Sequence, residues 1–456
     1  MIGAPETEHL QCRMAPGETL GEDGGDGVWL PHLADPARMS EVFSRHADTL
    51  GLPAPSATVE LLDARLTHPH RPESPRCRGW ATYLLVPRDG EPVQLYVKGF
   101  PTGAASRGAW ERDRAARPGG SSSHLPELHL VVWRFPEDPQ LAVLPELIGF
   151  GPAANIVPPV VREVLEMTAG DDVRTTVVRY QPETSATLRI EVNRAGAPAV
   201  FAKHLADGSV PEIAARHQAL WSRADPADGL RIAEPLAADP GRGVLWTRGV
   251  LGTALAASVA PDELSTATAP IGRLLAALHT SPAGATESLT VDDLLAEAGK
   301  KATKLIRAHP RVGPQVNGLV TAATRRRRDA GGPAHRCTLH GDFHLDQLVS
   351  SAQGPVLVDL DSVVQGPPEV DVAEFLVDLA LRDLPGAVVR DVAQGLLSSY
   401  AVARGAPVDP ALLEVCADAE FLNRCYRHLR RHAPGWPSAL EAELDRHADV
   451  TALLRG

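Results

Sequence analysis

Residues 340–347 read HGDFHLDQ, and residues 356–371 read VLVDLDSVVQGPPEVD. The first stretch closes a short apolar run, CTLH at 337–340, and Gly341 permits a tight turn that presents Asp342. Gln347 follows and opens a hairpin, whose return strand, PVLVDL at 355–360, carries Asp359 near its end. Such a hairpin brings Asp342, Gln347 and Asp359 together at its edge. Two carboxylates and an amide oxygen are hard ligands suited to Mg2+, and one carboxylate can stay free to accept a proton from a hydroxyl. That division of labour is the one phosphoryl transfer uses.

Phosphoryl transfer also needs a cation on the phosphates from the opposite side. The chain has five lysines, at 98, 203, 300, 301 and 304, among 45 basic residues. In so arginine-rich a chain a lysine marks a place for a compact point charge rather than a planar fork. Lys203 ends a strand-like run, AVFAKHL, and GVLWTRGV at 243–250 follows as a possible hinge into a helical region. The order is therefore strand lysine, hinge, helices, catalytic turn and metal hairpin.

Working outward, residues 1–55 are rich in Pro, Gly and acids, with weak periodicity. ATVELLDARLTH, GWATYLLVP and VQLYVKGF then read as three strands, and ARPGGSSSH at 116–124 as a loop or insert. LHLVVWRF is strand-like, LAVLPELI a short helix, and GFGPAANIVPP at 149–159 a linker. VRTTVVRY, ATLRIEV and AVFAKHL form a second strand set. Each set ends in an aromatic-x-Lys, LYVK at 95–98 and VFAK at 200–203, a weak internal repeat whose alternative is the alternation common to any two small sheets. Helical periodicity begins near 261, where Ile271, Leu274, Leu275 and Leu278 share a stripe, and recurs at 291–307, 315–329, 371–381, 386–404, 410–432 and 437–454.

HGDFHLDQ and VDLDSVVQGPPEVDVAEFL resemble the catalytic and metal segments of the aminoglycoside phosphotransferase / choline kinase-like superfamily, written H-G-D-x-x-x-x-N and I-D-[WF]-[DE] followed by D-L-A. IGRLLAALH resembles the helix before that family's catalytic loop, and the resemblance covers roughly 175–455. It implies an α+β, protein-kinase-like two-lobed fold, with a small antiparallel β lobe and a large helical lobe. An extra N-terminal α+β cap would precede it. The expected divisions are 1–160 for the cap, 161–248 for the small lobe and hinge, and 249–456 for the helical catalytic lobe with the acceptor site.

The resemblance implies that Asp342 is the catalytic base and that His340 braces its loop. Asp359 would be the principal Mg2+ ligand with Asp361 as helper, and Lys203 would bind the nucleotide's α/β-phosphates. Glu212 would orient Lys203, with Glu191 and Glu183 as open alternatives, and Asp371 would support the catalytic loop. Thr184 and Ser185, in QPETSATL, would contact phosphate, or that segment is an ordinary hairpin turn. Gln347 stands where the family has asparagine; maltokinase-like and glucosamine-kinase-like members resemble this variant, with H-G-D-L-H-x-x-Q. The implied activity is transfer of the γ-phosphoryl group of ATP, or GTP, to a hydroxyl of a sugar, aminosugar, aminoglycoside or other secondary metabolite. A peptide kinase or a nucleotide-binding pseudokinase are the competing readings.

Composition narrows the partners. The net charge of −12 argues against a nonspecific nucleic-acid binder. No apolar run is long enough for a membrane span, the N-terminus does not read as a secretory signal, and the five scattered cysteines read as reduced, so a cytoplasmic location is expected. RRRR at 325–328 and Lys300, Lys301 and Lys304 read as solvated helix faces, Trp133 as core, and Lys98 as an exposed strand end or a second nucleotide lysine. His344 and Asp346 would cap or line the catalytic loop. Asp378, Glu414, Asp418 and Glu420 are acids that a cationic acceptor could meet, or solvated faces.

Overall fold

A computed structural model describes residues 33–455, apart from 53–57, 69, 71–75, 89, 150–155, 169, 195, 225–228, 259–260, 285–286 and 331–334. Most of the 1–55 segment, most of the 149–159 linker and Cys12 thus lie outside the described residues.

The first described helices are α1 (Pro36–Arg45) and α2 (Ala47–Leu50). Asp35 caps α1 by accepting from the N–H groups of Ala37 and Arg38, with Pro36 at the first helical position. An antiparallel sheet follows, with β1 (Thr58–Thr67), β2 (Arg78–Val86) and β3 (Val93–Gly99), then α3 (Gly103–Ala116), β4 (Ser123–Leu125) and β5 (Leu130–Arg134). Its order is β1-β2-β3-β5-β4. Alternation gives this sheet two buried faces. Tyr83, Leu95, Val97 and Val132 pack with Met39, Val42 and Phe43 of α1, while Tyr96, Phe100, Val131 and Trp133 pack with Ala105, Ala109 and Trp110 of α3. Trp133 is core, as expected.

Two short helices, α4 (Leu144–Ile148) and α5 (Pro159–Val164), lead to a second antiparallel sheet: β6 (Val173–Gln181), β7 (Ser185–Val192) and β8 (Ala199–Leu205), then α6 (Val210–Trp221), β9 (Pro235–Asp239) and β10 (Val244–Arg248). Its order is β6-β7-β8-β10-β9, the same as in the first sheet. Leu188, Ile190, Val200, Ala202 and Trp246 pack under Leu144, Leu147, Val161 and Leu165. Val210 and Ile213 of α6 pack on Leu205 and Leu245 of the other face.

The remainder is mostly helical: β11 (Thr253–Ala254), α7 (Leu255–Ser258), α8 (Pro261–Thr280), α9 (Val291–Ala308), α10 (Gly313–Ala330), β12 (Cys337–Leu339), β13 (Leu348–Ser351), β14 (Gly354–Leu357), β15 (Val364–Gly366), α11 (Glu369–Leu381), α12 (Gly386–Arg404), α13 (Pro410–Arg431), α14 (Trp436–Asp445) and α15 (His447–Arg455). The Ile271, Leu274, Leu275 and Leu278 stripe lies in one continuous core with Phe343, Phe375 and Phe421. Helices α8 and α12 meet at Gly272, where a Cβ would sit 2.0 Å from the Ser399 hydroxyl, so only glycine allows this approach. The result is the mixed α+β, two-lobed arrangement that the resemblance implied, preceded by a further sheet.

Three expectations need correction. Strand β12 pairs with β15, outside the β13–β14 hairpin, and Asp359 lies beyond β14 in a left-handed residue (φ 59°). Two of the four arginines of α10, Arg325 and Arg328, are exposed as expected, but Arg326 binds Glu414 (2.8 Å) and Asp418, and Arg327 forks onto Asp292 (3.0 Å). Of the α9 lysines only Lys300 is on a solvated face, since Lys301 donates to Asn423 (2.6 Å) and Lys304 lies over Tyr426.

Candidate active site

The His340-Gly341-Asp342 turn follows β12, and Gly341 is its pivot. Its φ is 78°, and a Cβ there would lie 2.4 Å from the Ser362 carbonyl oxygen. Asp371, fully buried on α11, holds the turn: its carboxylate accepts from the N–H groups of His340 (2.7 Å) and Gly341 (2.9 Å). The His279 ring at the end of α8 bridges Asp371 (3.1 Å) and the Tyr400 hydroxyl (2.7 Å) of α12. One turn along α11, Glu374 accepts from the Phe343 N–H (2.9 Å). Burial, with Glu420 and Asp371 nearby, raises its pKa well above the usual carboxyl range. The His340 ring contacts the Val358 carbonyl (3.0 Å), joining the turn to the segment that carries Asp359.

Asp342 projects from this turn. Its Oδ2 lies 3.3 Å from the Gln347 amide nitrogen and 3.5 Å from His344 Nε2. Burial alone would raise the Asp342 pKa, but the hydrogen bond and charge of His344, with His340 and Gln347, hold it down at about 2. Burial opposes the charge on His344, yet Asp342 and Asp346 raise it to about 9. Asp342 is thus a carboxylate at neutral pH beside an imidazolium. Asp346 also binds Arg382 (2.8 Å).

Lys203 on β8 reaches Asp359 (2.5 Å) and Asp361 (2.6 Å). Burial lowers the pKa of the ammonium, but the two carboxylates outweigh it and raise the value. Asp361 is itself raised, by burial and by Asp359 against the pull of Lys203. Glu212, exposed in the first turn of α6, makes no ion pair with Lys203 among the described contacts. The α6 residue that crosses to the Asp359–Asp361 segment is Arg216, which donates to the Asp361 carbonyl (3.1 Å). Glu191 is occupied by Arg189 (2.6 Å).

Glu183, Thr184 and Ser185 lie at the β6–β7 turn. Ser185 begins β7 opposite Leu205, and the exposed Thr184 has its hydroxyl on the Pro182 carbonyl (3.2 Å). Glu183 has a positive φ of 59° and binds Lys98 of the N-terminal sheet rather than Lys203. Lys98 is therefore not an exposed strand end. The turn is held by Asp138, which is fully buried and accepts from the Tyr180 hydroxyl (2.7 Å) and the Glu183 N–H (2.9 Å).

Three residues escaped sequence reasoning: Asp138, His279 and Glu374. Glu374 had a signal, since its three-residue spacing from Asp371 puts both on one helical face. The acids proposed for an acceptor are all paired. Asp378 binds Arg382 and Arg424 (both 2.8 Å), Glu414 and Asp418 bind Arg326, and Glu420 binds Arg424 (2.7 Å).

The model of the phosphotransferase enzyme family matches residues 170–408, just over half of the chain, and the chain belongs to that family. Among solved structures it is similar to the apo form of a thermostable mutant of aminoglycoside phosphotransferase APH(4)-Ia, with 15% identity, 64% of this chain and 99% of that chain covered, and a TM-score of 0.46. It is also similar to the macrolide 2'-phosphotransferase MphH from Brachybacterium faecium, with 14% identity, coverage of 64% and 98%, and a TM-score of 0.42. A choline/ethanolamine kinase family protein from Mesorhizobium loti shares 16% identity, with coverage of 62% and 93% and a TM-score of 0.39. No curated protein matches the chain. No described helix is long and apolar enough to cross a membrane.

Proposed function

We propose that the protein transfers the γ-phosphoryl group of ATP to a hydroxyl of a small molecule, with Asp342 as the base. The observation that carries this reading is the arrangement of charge: Asp342 is held ionised on a turn braced by Asp371, and the Lys203 ammonium lies between Asp359 and Asp361, on the segment that the His340 ring joins to that turn. That both carboxylates reach one ammonium supports a shared cation position. Asp359 and Asp361, with the amide oxygen of Gln347, fit a hard divalent ion such as Mg2+. When bound, Mg2+ would neutralise charge on the phosphate oxygens.

The chain's own residues do the rest. Lys203 binds the α/β-phosphates when it releases the carboxylates, while Thr184 and Ser185 cover the phosphates from the β6–β7 turn. Asp342 orients the acceptor hydroxyl and takes its proton as the loose transition state develops. Gln347 keeps Asp342 in place by donating from its amide nitrogen. That contact supports catalysis over a pseudokinase.

The acceptor side favours a neutral or anionic molecule over a polycation. Asp378, Glu414, Asp418 and Glu420 of α11 and α13 are paired with arginines, and Arg427 on α13 lies within electrostatic reach of Asp342. The test is Mg2+-dependent ATP consumption across sugars, aminosugars, aminoglycosides, acidic sugars and peptides, with Asp342→Asn as control. A non-cationic hydroxyl compound is expected to be phosphorylated by the wild type alone. Turnover only with peptides, or turnover retained in the variant, contradicts the reading.

A further inference from the structure

The two sheets share more than their strand order. In each, the third strand carries a lysine, Lys98 or Lys203, and the helix that follows packs on the lysine's side of the sheet. Lys98 pairs across the sheet with Trp80 and Val131, and Lys203 with Thr187 and Leu245. In each, the ammonium is held by carboxylate from a later unit: Glu183 for Lys98, and Asp359 with Asp361 for Lys203. The weak LYVK/VFAK repeat is therefore a repeat of architecture.

Lys203 faces Asp359 and Asp361. Lys98 faces a cavity of about 430 Å3, between the β3–β5 face, α3 and the β6–β7 turn. That volume falls in the range of small-molecule sites, roughly 300–1,000 Å3. Its walls combine Phe100 and Trp133 with three cations, Lys98, Arg78 and Arg112. The acids at its edge are engaged, Asp113 with Arg117 and Glu183 with Lys98. Arg78 and Arg112 make no ion pair among the described residues. Trp133 is 2% exposed, and its indole N–H meets no acceptor there. Two unpaired guanidiniums, a lysine on a single exchangeable carboxylate and two aromatic walls suit a phosphate group attached to a ring.

We infer that this cavity is a second ligand site, which takes a phosphorylated small molecule of nucleotide size and competes with Glu183 for Lys98. Glu183 belongs to the turn placed over the nucleotide phosphates in the proposed function. A ligand that releases its side chain would loosen one of the two ties on that turn, leaving the Asp138 bond. This coupling rests on the phosphotransferase reading, whereas the binding does not.

The test titrates ADP and inorganic pyrophosphate into the full chain by calorimetry. It uses a Lys203→Met, Asp359→Ala background, so that the proposed nucleotide site does not contribute. One remaining site is expected. Adding Lys98→Met or Arg112→Ala should weaken it by tenfold or more, as befits lost charge-assisted hydrogen bonds. Adding Glu183→Gln should tighten it about three- to tenfold by removing the competing carboxylate, a gain that misfolding cannot imitate. ADP binding without pyrophosphate binding identifies a nucleotide; similar binding of both identifies a phosphate site that tolerates other carriers. Absence of binding by both probes, or binding indifferent to Lys98 and Glu183, overturns the inference. Loss of phosphoryl transfer with this binding intact would count against the proposed function alone.

Discussion

His344 holds down the pKa of Asp342, the proposed base. Its imidazolium lies between Asp342 and Asp346, and it depresses the Asp342 pKa to about 2 while its own rises to about 9. The raised histidine contributes stability fully below its ordinary value near 6.5, and that contribution fades as pH climbs through about 9. The depressed aspartate contributes above its ordinary 3.8 and loses this as pH falls toward about 2. Both are fully present between these ordinary values. His344→Gln should therefore move the acid limb of the kcat/KM profile upward by about one pH unit or more. An unmoved limb would remove His344 from this role. Asp342, Gln347 and His344 were legible because they lie within one turn. The Lys203 contact with Asp359 and Asp361 was not, because only the closure of two lobes creates it.

Elements meet at Asp371, where α11 receives the β12 turn and the end of α8. Replacing it with asparagine keeps the shape but turns one acceptor oxygen into a donor group that faces buried N–H donors. The cost should be roughly 3 kcal/mol, as for a broken buried polar network. It should appear as a lower denaturation midpoint of the helical lobe together with lost activity; unchanged stability would contradict the bracing role. The strands were readable from alternation, and α8 to α13 from their apolar stripes. Helix α3 was missed because it covers its sheet with Ala105, Ala109 and Trp110, which leaves little periodic signal. Helix α1 was missed although Asp35-Pro36 is a start signal, because the acid- and glycine-rich segment before it dominated the reading. The hairpin after Gln347 was legible, but the partner of β12, the three-residue β15, lies beyond Asp361 and left no signal.

At the scale of the molecule, polar contacts among the described residues tie the N-terminal sheet into the phosphotransferase lobes. Asp138 and Lys98 hold the β6–β7 turn, and Asp63 faces Arg431 of α13 (4.0 Å). The first tie predicts that Asp138→Ala, which frees the turn without touching Asp342, raises the KM for ATP several-fold and leaves kcat within about twofold. A fall in kcat at constant KM would mean that the turn acts on chemistry rather than on nucleotide binding. The sequence hinted at this duplication only through two short lysine motifs. Strand order and inter-lobe pairing are properties of the assembled sheets and leave little trace in local pattern.

The central claim is that one carboxylate does the chemistry and another pair holds the nucleotide's cation. The most direct measurement compares Asp342→Asn with Asp359→Ala for Mg2+-ATP affinity and for turnover with an active acceptor. The account predicts that Asp342→Asn keeps nucleotide affinity within a few-fold while turnover falls by about 10²–10⁴, and that Asp359→Ala loses both. Wild-type turnover in Asp342→Asn, or undiminished Mg2+-ATP affinity in Asp359→Ala, would contradict it.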